Sequence, residues 1–117
     1  MELHHHSCCA QNMLEHLPSD KAFQKVSDTF QLISDPTRLK ILWLLCHCEL
    51  CVNNIGIAVG MSSPAVSHHL RLLKQAGLLE SRRLGKEMYY KLASSPEAQL
   101  LHKSVDDIFD ISCPSNN

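Results

Sequence analysis

Across residues 62–92, SSPAVSHHLRLLKQAGLLESRRLGKEMYYKL, the hydrophobic period switches from helical to alternating at one glycine. That switch commits the segment to a helix followed by a hairpin. Ser62 and Ser63 are N-cap candidates, and Pro64 suits a first helical turn, where its missing N–H costs nothing. Val66, Leu70 and Leu73 recur at i, i+4, i+7 and are expected to face a core. Ser63, Ser67, His68, Arg71 and Lys74 fall on the opposite side. Gly77 stands where a helix C′ residue is wanted. Residues 78–84 and 87–92 then form two strand candidates around Gly85 and Lys86, with Gly85 able to supply the positive φ of a tight hairpin.

A capped helix followed by a short basic hairpin is the order of a winged helix-turn-helix, in which one helix enters the DNA major groove. From Arg71 to Lys91 there are six basic residues and two acidic ones, whereas the 117-residue chain carries a net charge of −1. Positive charge is therefore concentrated on this segment, the electrostatic footprint of nucleic-acid binding. Ser63, Ser67, His68, Arg71 and Lys74 are expected to lie at the groove, and Arg82, Arg83 and Lys86 to contact phosphates. An isolated charge run is more often a solvated face. Cap, period, glycine stop and hairpin together outweigh that alternative.

The rest of the chain reads as helices. Residues 20–34 carry an apolar stripe of Phe23, Val26, Phe30 and Ile33. Asp35-Pro36 opens an apolar helix over residues 37–46. Residues 51–61 read as the first helix of the helix-turn-helix, with Gly60, Met61 and Ser62 as its turn. Pro96 starts a last helix bearing Leu100, Leu101, Val105, Ile108 and Phe109. The expected fold is mainly α with a small β-hairpin, in the order ααααββα. Residues 1–19 are expected to form a flexible metal-binding arm, 20–113 the winged domain and 114–117 a tail. The stripes on the first and last of these helices exceed what a small domain covers alone, so a homodimer through them is expected, matched to an inverted-repeat operator.

Nothing in the sequence resembles a membrane span or a secretory signal, so the expected location is cytoplasmic. Cys8, Cys9, Cys46, Cys48, Cys51 and Cys113 are then reduced thiols, suited to metal or redox chemistry rather than a disulfide framework. No phosphate-cradling glycine loop or nucleophile elbow is present, and no enzyme is expected.

SDPTRLKIL at residues 34–42, ELCV at 49–52, AVSHHLRLLKQAGLL at 65–79 and RRLGKEMYYKL at 82–92 resemble the ArsR/SmtB repressors. The resemblance is dense from about residue 30 to residue 92. It implies a homodimeric winged helix-turn-helix repressor that leaves its double-stranded operator when a metal ion binds, controlling metal efflux or detoxification genes. It also implies a thiol-rich site pairing an N-terminal arm with two cysteines of an ELCVC motif. Cys51 holds the first of those positions, but Asn53 stands at the second. The last-helix site of other members is likewise incomplete, with Ser94 and Pro96 in place of two ligands and Asp107 and Asp110 at the later positions.

Ligand chemistry offers a way to fill the gap. Cys48 lies three residues before Cys51, a spacing that brings two sulfurs to one ion, and Cys8, Cys9 and His6 supply further donors from the arm. His4 and His5 are secondary candidates there, as are His102, Asp106, Asp107 and Asp110 on the last helix, where a solvated face is the favoured reading. Cysteine and histidine donors suit zinc, cadmium or lead, and a cysteine-dominated set also suits copper(I). Cys46, His47, Cys48 and Cys51 stand together as one group of potential ligands, within which Cys46, following an apolar stretch, reads as a small core residue. The competing expectation is a redox-sensing repressor of the same fold that uses Cys48, Cys51 or the Cys8-Cys9 pair as reactive thiols without metal.

Overall fold

The computed structural model describes residues 8–113. Its elements are α1 (Cys8–Glu15), α2 (Asp20–Ile33), α3 (Pro36–His47), β1 (Leu50–Cys51), α4 (Val52–Val59), α5 (Ser63–Gln75), β2 (Leu79–Leu84), β3 (Glu87–Leu92) and α6 (Pro96–Ser112). The chain divides into two compact units after Phe30. In the first, the arm expected to lack periodic structure is helical from Cys8 to Glu15. Ser19 caps α2, its hydroxyl accepting the Ala22 N–H at 3.1 Å. Of the stripe read on α2, Phe23 is 51%, Val26 55% and Phe30 61% exposed, whereas Ile33, which falls in the second unit, packs part-buried against its core.

The second unit is a winged helix-turn-helix. Asp35 accepts the Arg38 N–H at 2.9 Å and Pro36 occupies the first turn, which starts α3 where the sequence indicated. Ile41, Leu42 and Leu45 from α3, Ile55 from α4, and Val66, Leu70 and Leu73 from α5 form one core with Leu78, Leu79, Ala93, Ala98 and Leu101. Cys46 packs half-buried against it, as expected of a small core residue. The turn between α4 and α5 is tight. Met61 N–H donates to the Gly56 carbonyl at 3.0 Å, and a Cβ on Gly56 would stand 2.7 Å from the Met61 carbonyl oxygen. Only glycine fits there without moving backbone.

Helix α5 stops at a Schellman motif. Leu78 N–H reaches the Leu73 carbonyl and Gly77 N–H the Lys74 carbonyl, both at 3.0 Å, with Gly77 at φ +79°. The hairpin follows in register Leu79↔Leu92 to Leu84↔Glu87. Sequence reading missed β1, which pairs antiparallel with β3 as Leu50↔Tyr90 and Cys51↔Tyr89. The sheet order is therefore β1-β3-β2, and Cys51 belongs to a strand rather than to the helix expected over residues 51–61. That helix begins one residue later, at Val52, and ends at Val59 ahead of a left-handed Gly60.

Candidate functional site

Helix α5 is held by its apolar underside. Val66, Leu70 and Leu73 are buried, while Ser63, Ser67, His68, Arg71 and Lys74 are all exposed. These five residues thus share one outward surface of α5. Ser62 caps it, accepting the Ala65 N–H at 3.4 Å. Arg71 Nη2 donates to His68 Nδ1 at 3.0 Å, which steadies a guanidinium that would otherwise sweep freely. Lys74 Nζ donates to Ser81 Oγ at 2.7 Å, joining the end of α5 to the foot of the wing.

The wing is less uniform than its charge suggests. Arg83 and Lys86 are exposed and have no acidic partner among the described residues. Arg82 is different: its Nε and Nη2 donate to the two carboxylate oxygens of Glu49, each at 2.7 Å. This fork holds the Glu49 carboxyl below the usual carboxylate range and ties the wing to the segment before β1. Sequence reading did not find the pair, which spans 33 residues. It also missed Arg38, which donates through Nε to His69 Nδ1 at 3.2 Å and through Nη1 to the Leu32 carbonyl at 3.1 Å. Burial, and then the Arg38 charge, push His69 below its ordinary pKa, consistent with a ring nitrogen that accepts.

The candidate metal ligands are dispersed. His4, His5 and His6 lie outside the described residues, and Cys8 and Cys9 are neighbours at the start of α1, with Cys9 exposed. Cys48 is exposed at the C-cap of α3, its thiol directed at the Leu44 carbonyl 3.2 Å away. Cys51 is buried. On α6, Asp107 is taken by Lys103 at 2.8 Å, and Asp110 is exposed. His102 and Asp106 come within 3.0 Å of each other, as their one-turn spacing allows. His47, read from the sequence with the cysteines, joins them instead. Among the described residues, His47, His102 and Asp106 are the three potential ligands whose donor atoms all lie within 4.8 Å of one another.

A covered helix, an exposed polar face and a basic hairpin beside it define a DNA-binding regulator of the winged helix-turn-helix class. Comparison with known proteins makes the class narrower. The family described as "Bacterial regulatory protein, arsR family" matches residues 35–81. A "Transcriptional repressor SmtB homolog" from Synechocystis sp. is 35% identical over 85 residues, covering 73% of this chain and 64% of that protein. A "Cadmium resistance transcriptional regulatory protein CadC homolog" from Staphylococcus aureus is 40% identical over 80 residues, covering 68% of this chain and 66% of the other. The chain therefore spans just under two thirds of the length of these two relatives. Among solved structures, the homodimeric winged helix-turn-helix DNA-binding domain of a possible ArsR-family regulator from Mycobacterium bovis superposes with a TM-score of 0.68. It shares 32% identity, with 80% of this chain and 88% of that one covered. The chain belongs to the arsR family of bacterial transcriptional regulators. Among the described residues, no helix is long and apolar enough to cross a membrane.

Proposed function

We propose that this protein is a cytoplasmic homodimeric repressor that holds an inverted-repeat operator and releases it on binding a thiophilic or zinc-like metal ion. Genes for metal efflux or detoxification would then be expressed only when the metal is present. The observation that carries the DNA-binding part is the exposed row Ser63, Ser67, His68 and Arg71 over the buried underside of α5. Ser67, His68 and Arg71 read bases, and Arg83 and Lys86 hold phosphates. Arg82 contributes less to DNA contact than its neighbours because Glu49 already neutralises it.

Dimerisation is supported by the uncovered apolar residues of α2 and, separately, by those of α6, where Leu100 is 65%, Ile108 60% and Ile111 80% exposed. The metal signal is supported by the names of the cadmium-resistance and SmtB-type relatives and by the donor set. Cys51, with Cys48 and the arm's Cys8, Cys9 and His6, forms the proposed thiol site, for zinc, cadmium, lead or copper(I). Cys51 is buried in β1, so its ligation works against its packing. The disturbance falls on β1 and hence on β3 of the wing, its ladder partner. Burial, with the Asp106 charge, pushes the Cys46 thiol up to about 11, so Cys46 is not the reactive thiol of the redox alternative, which rests on Cys48, Cys51 or the Cys8-Cys9 pair.

Operator binding measured with and without zinc, cadmium, lead or copper(I) tests this reading. A coupling of about 1–3 kcal/mol corresponds to a roughly 5–150-fold loss of operator affinity. Unchanged affinity at saturating metal for all four ions overturns it. Cys51→Ser is expected to keep operator binding and lose the response.

A further inference from the structure

We propose that His47, His102 and Asp106 form a second metal site, built across α3 and α6 without any sulfur, for a borderline divalent ion of the zinc, cobalt(II) or nickel(II) kind. It goes beyond operator release, because it requires only that these two helices pack as they do. Two one-turn pairs make it: Trp43 and His47 on α3, and His102 and Asp106 on α6.

The distances suit one small ion. His102 Nε2 lies 3.0 Å from Asp106 Oδ2, and His47 Nε2 lies 3.7 Å from Asp106 Oδ1. Donors bonded tetrahedrally at ~2.0–2.2 Å stand about 3.3–3.6 Å apart, so the three donor atoms, all within 4.8 Å of one another, close on one ion by inward shifts of at most about 1.5 Å. Two imidazoles and one carboxylate match the donors of many zinc sites and exclude a preference for lead or copper(I), which favour thiolates.

The surroundings orient these ligands. The Trp43 indole N–H donates to Asp106 Oδ1 at 3.2 Å, fixing the carboxylate from outside the donor set. The His47 ring is held between Trp43, with centroids 4.5 Å apart, and His102, at 5.0 Å and edge-on. An open cavity of about 480 Å³, lined by Trp43, His47, Asp106, Phe109 and Asp110, leaves room for a fourth donor. Asp110, one turn beyond Asp106, stands at its wall to serve as that donor or to hold a water. Cys46 and Cys48 line an adjoining cavity with His47 and His102, but among the described residues no sulfur belongs to the group of donor atoms within 4.8 Å of one another.

Anaerobic titration of the reduced full-length protein with cobalt(II) tests the proposal. The expected result is a visible d–d spectrum of nitrogen and oxygen ligation, with quenching of Trp43, the chain's single tryptophan. Both persist in a Cys48→Ser/Cys51→Ser variant. In that background His47→Gln and His102→Gln each weaken cobalt(II) binding by more than 100-fold, and Trp43→Phe weakens it about 10-fold, the scale for losing a ligand's outer hydrogen bond. In the unaltered protein, zinc shifts the imidazole proton resonances of His47 and His102, a readout that needs no variant. Unperturbed imidazole resonances at saturating zinc overturn the site, as does full-strength cobalt(II) binding by His102→Gln in the Cys48→Ser/Cys51→Ser background. Operator affinity, measured separately, decides only the repressor reading, so the two stand or fall apart.

Discussion

Helix α5 with its wing and the seam between α3 and α6 are both polar surfaces over one core, yet they are made by opposite means. Every outward residue of α5 comes from a single 13-residue segment whose cap, stripe and stop are all local. The seam joins side chains as far apart as Trp43 and Asp106, 63 positions distant. The first surface is specified before the chain folds. The second exists only after α3 and α6 have packed. A locally specified surface is expected to fail with its own packing, whereas the seam should cost little to dismantle.

The sharpest way to break that contrast is at the core beneath α5. Leu70 is 1% exposed, so Leu70→Ala leaves a cavity and is expected to cost about 2–5 kcal/mol in denaturant unfolding. Gly56→Ala is next, at about 1–3 kcal/mol, because the new methyl meets the Met61 carbonyl in the turn that aims α5. Ser62→Ala removes the α5 cap and is expected to cost roughly 1 kcal/mol by the same measurement. Asp106→Ala without metal should fall below about 1 kcal/mol, since its partners are half-exposed and solvent screens them. A larger loss there would mean that the seam is a stability element after all.

The smallest effect concerns pH. The folded pKa of His69 lies below its ordinary 6.5, so the unfolded chain takes up the proton first. Stability that is complete above about pH 6.5 is therefore lost as pH falls toward the folded value. Melting temperature followed from pH 7.5 to 5.5 should show this drop, and His69→Gln should flatten it. An unchanged slope in the variant would assign the drop to another group.

The same contrast explains what could be read from the sequence. The α5 stripe, Gly77 and the hairpin follow from spacing of neighbours, and the structure reproduces them nearly to the residue. Strand β1 was invisible because two residues carry no period and its partners, Tyr89 and Tyr90, are about forty positions away. The Arg82–Glu49 fork was invisible because nothing near Arg82 in sequence announces Glu49. His47 was read with the cysteines beside it, although its spacing of four from Trp43 could have placed both on one helical face turned toward α6. Only the packing of two helices reveals that the neighbours of His47 are His102 and Asp106.

The sheet order β1-β3-β2 carries a consequence for assembly. Its strand with both sides engaged is β3, leaving β2 and the two-residue β1 as the borders. Strand β2 carries Arg82 and Arg83, and β1 is too short to template another strand. Both borders therefore discourage pairing with a strand of another chain. In the proposed homodimer the contact between copies then falls to the uncovered helices, which close an assembly at a defined number of subunits.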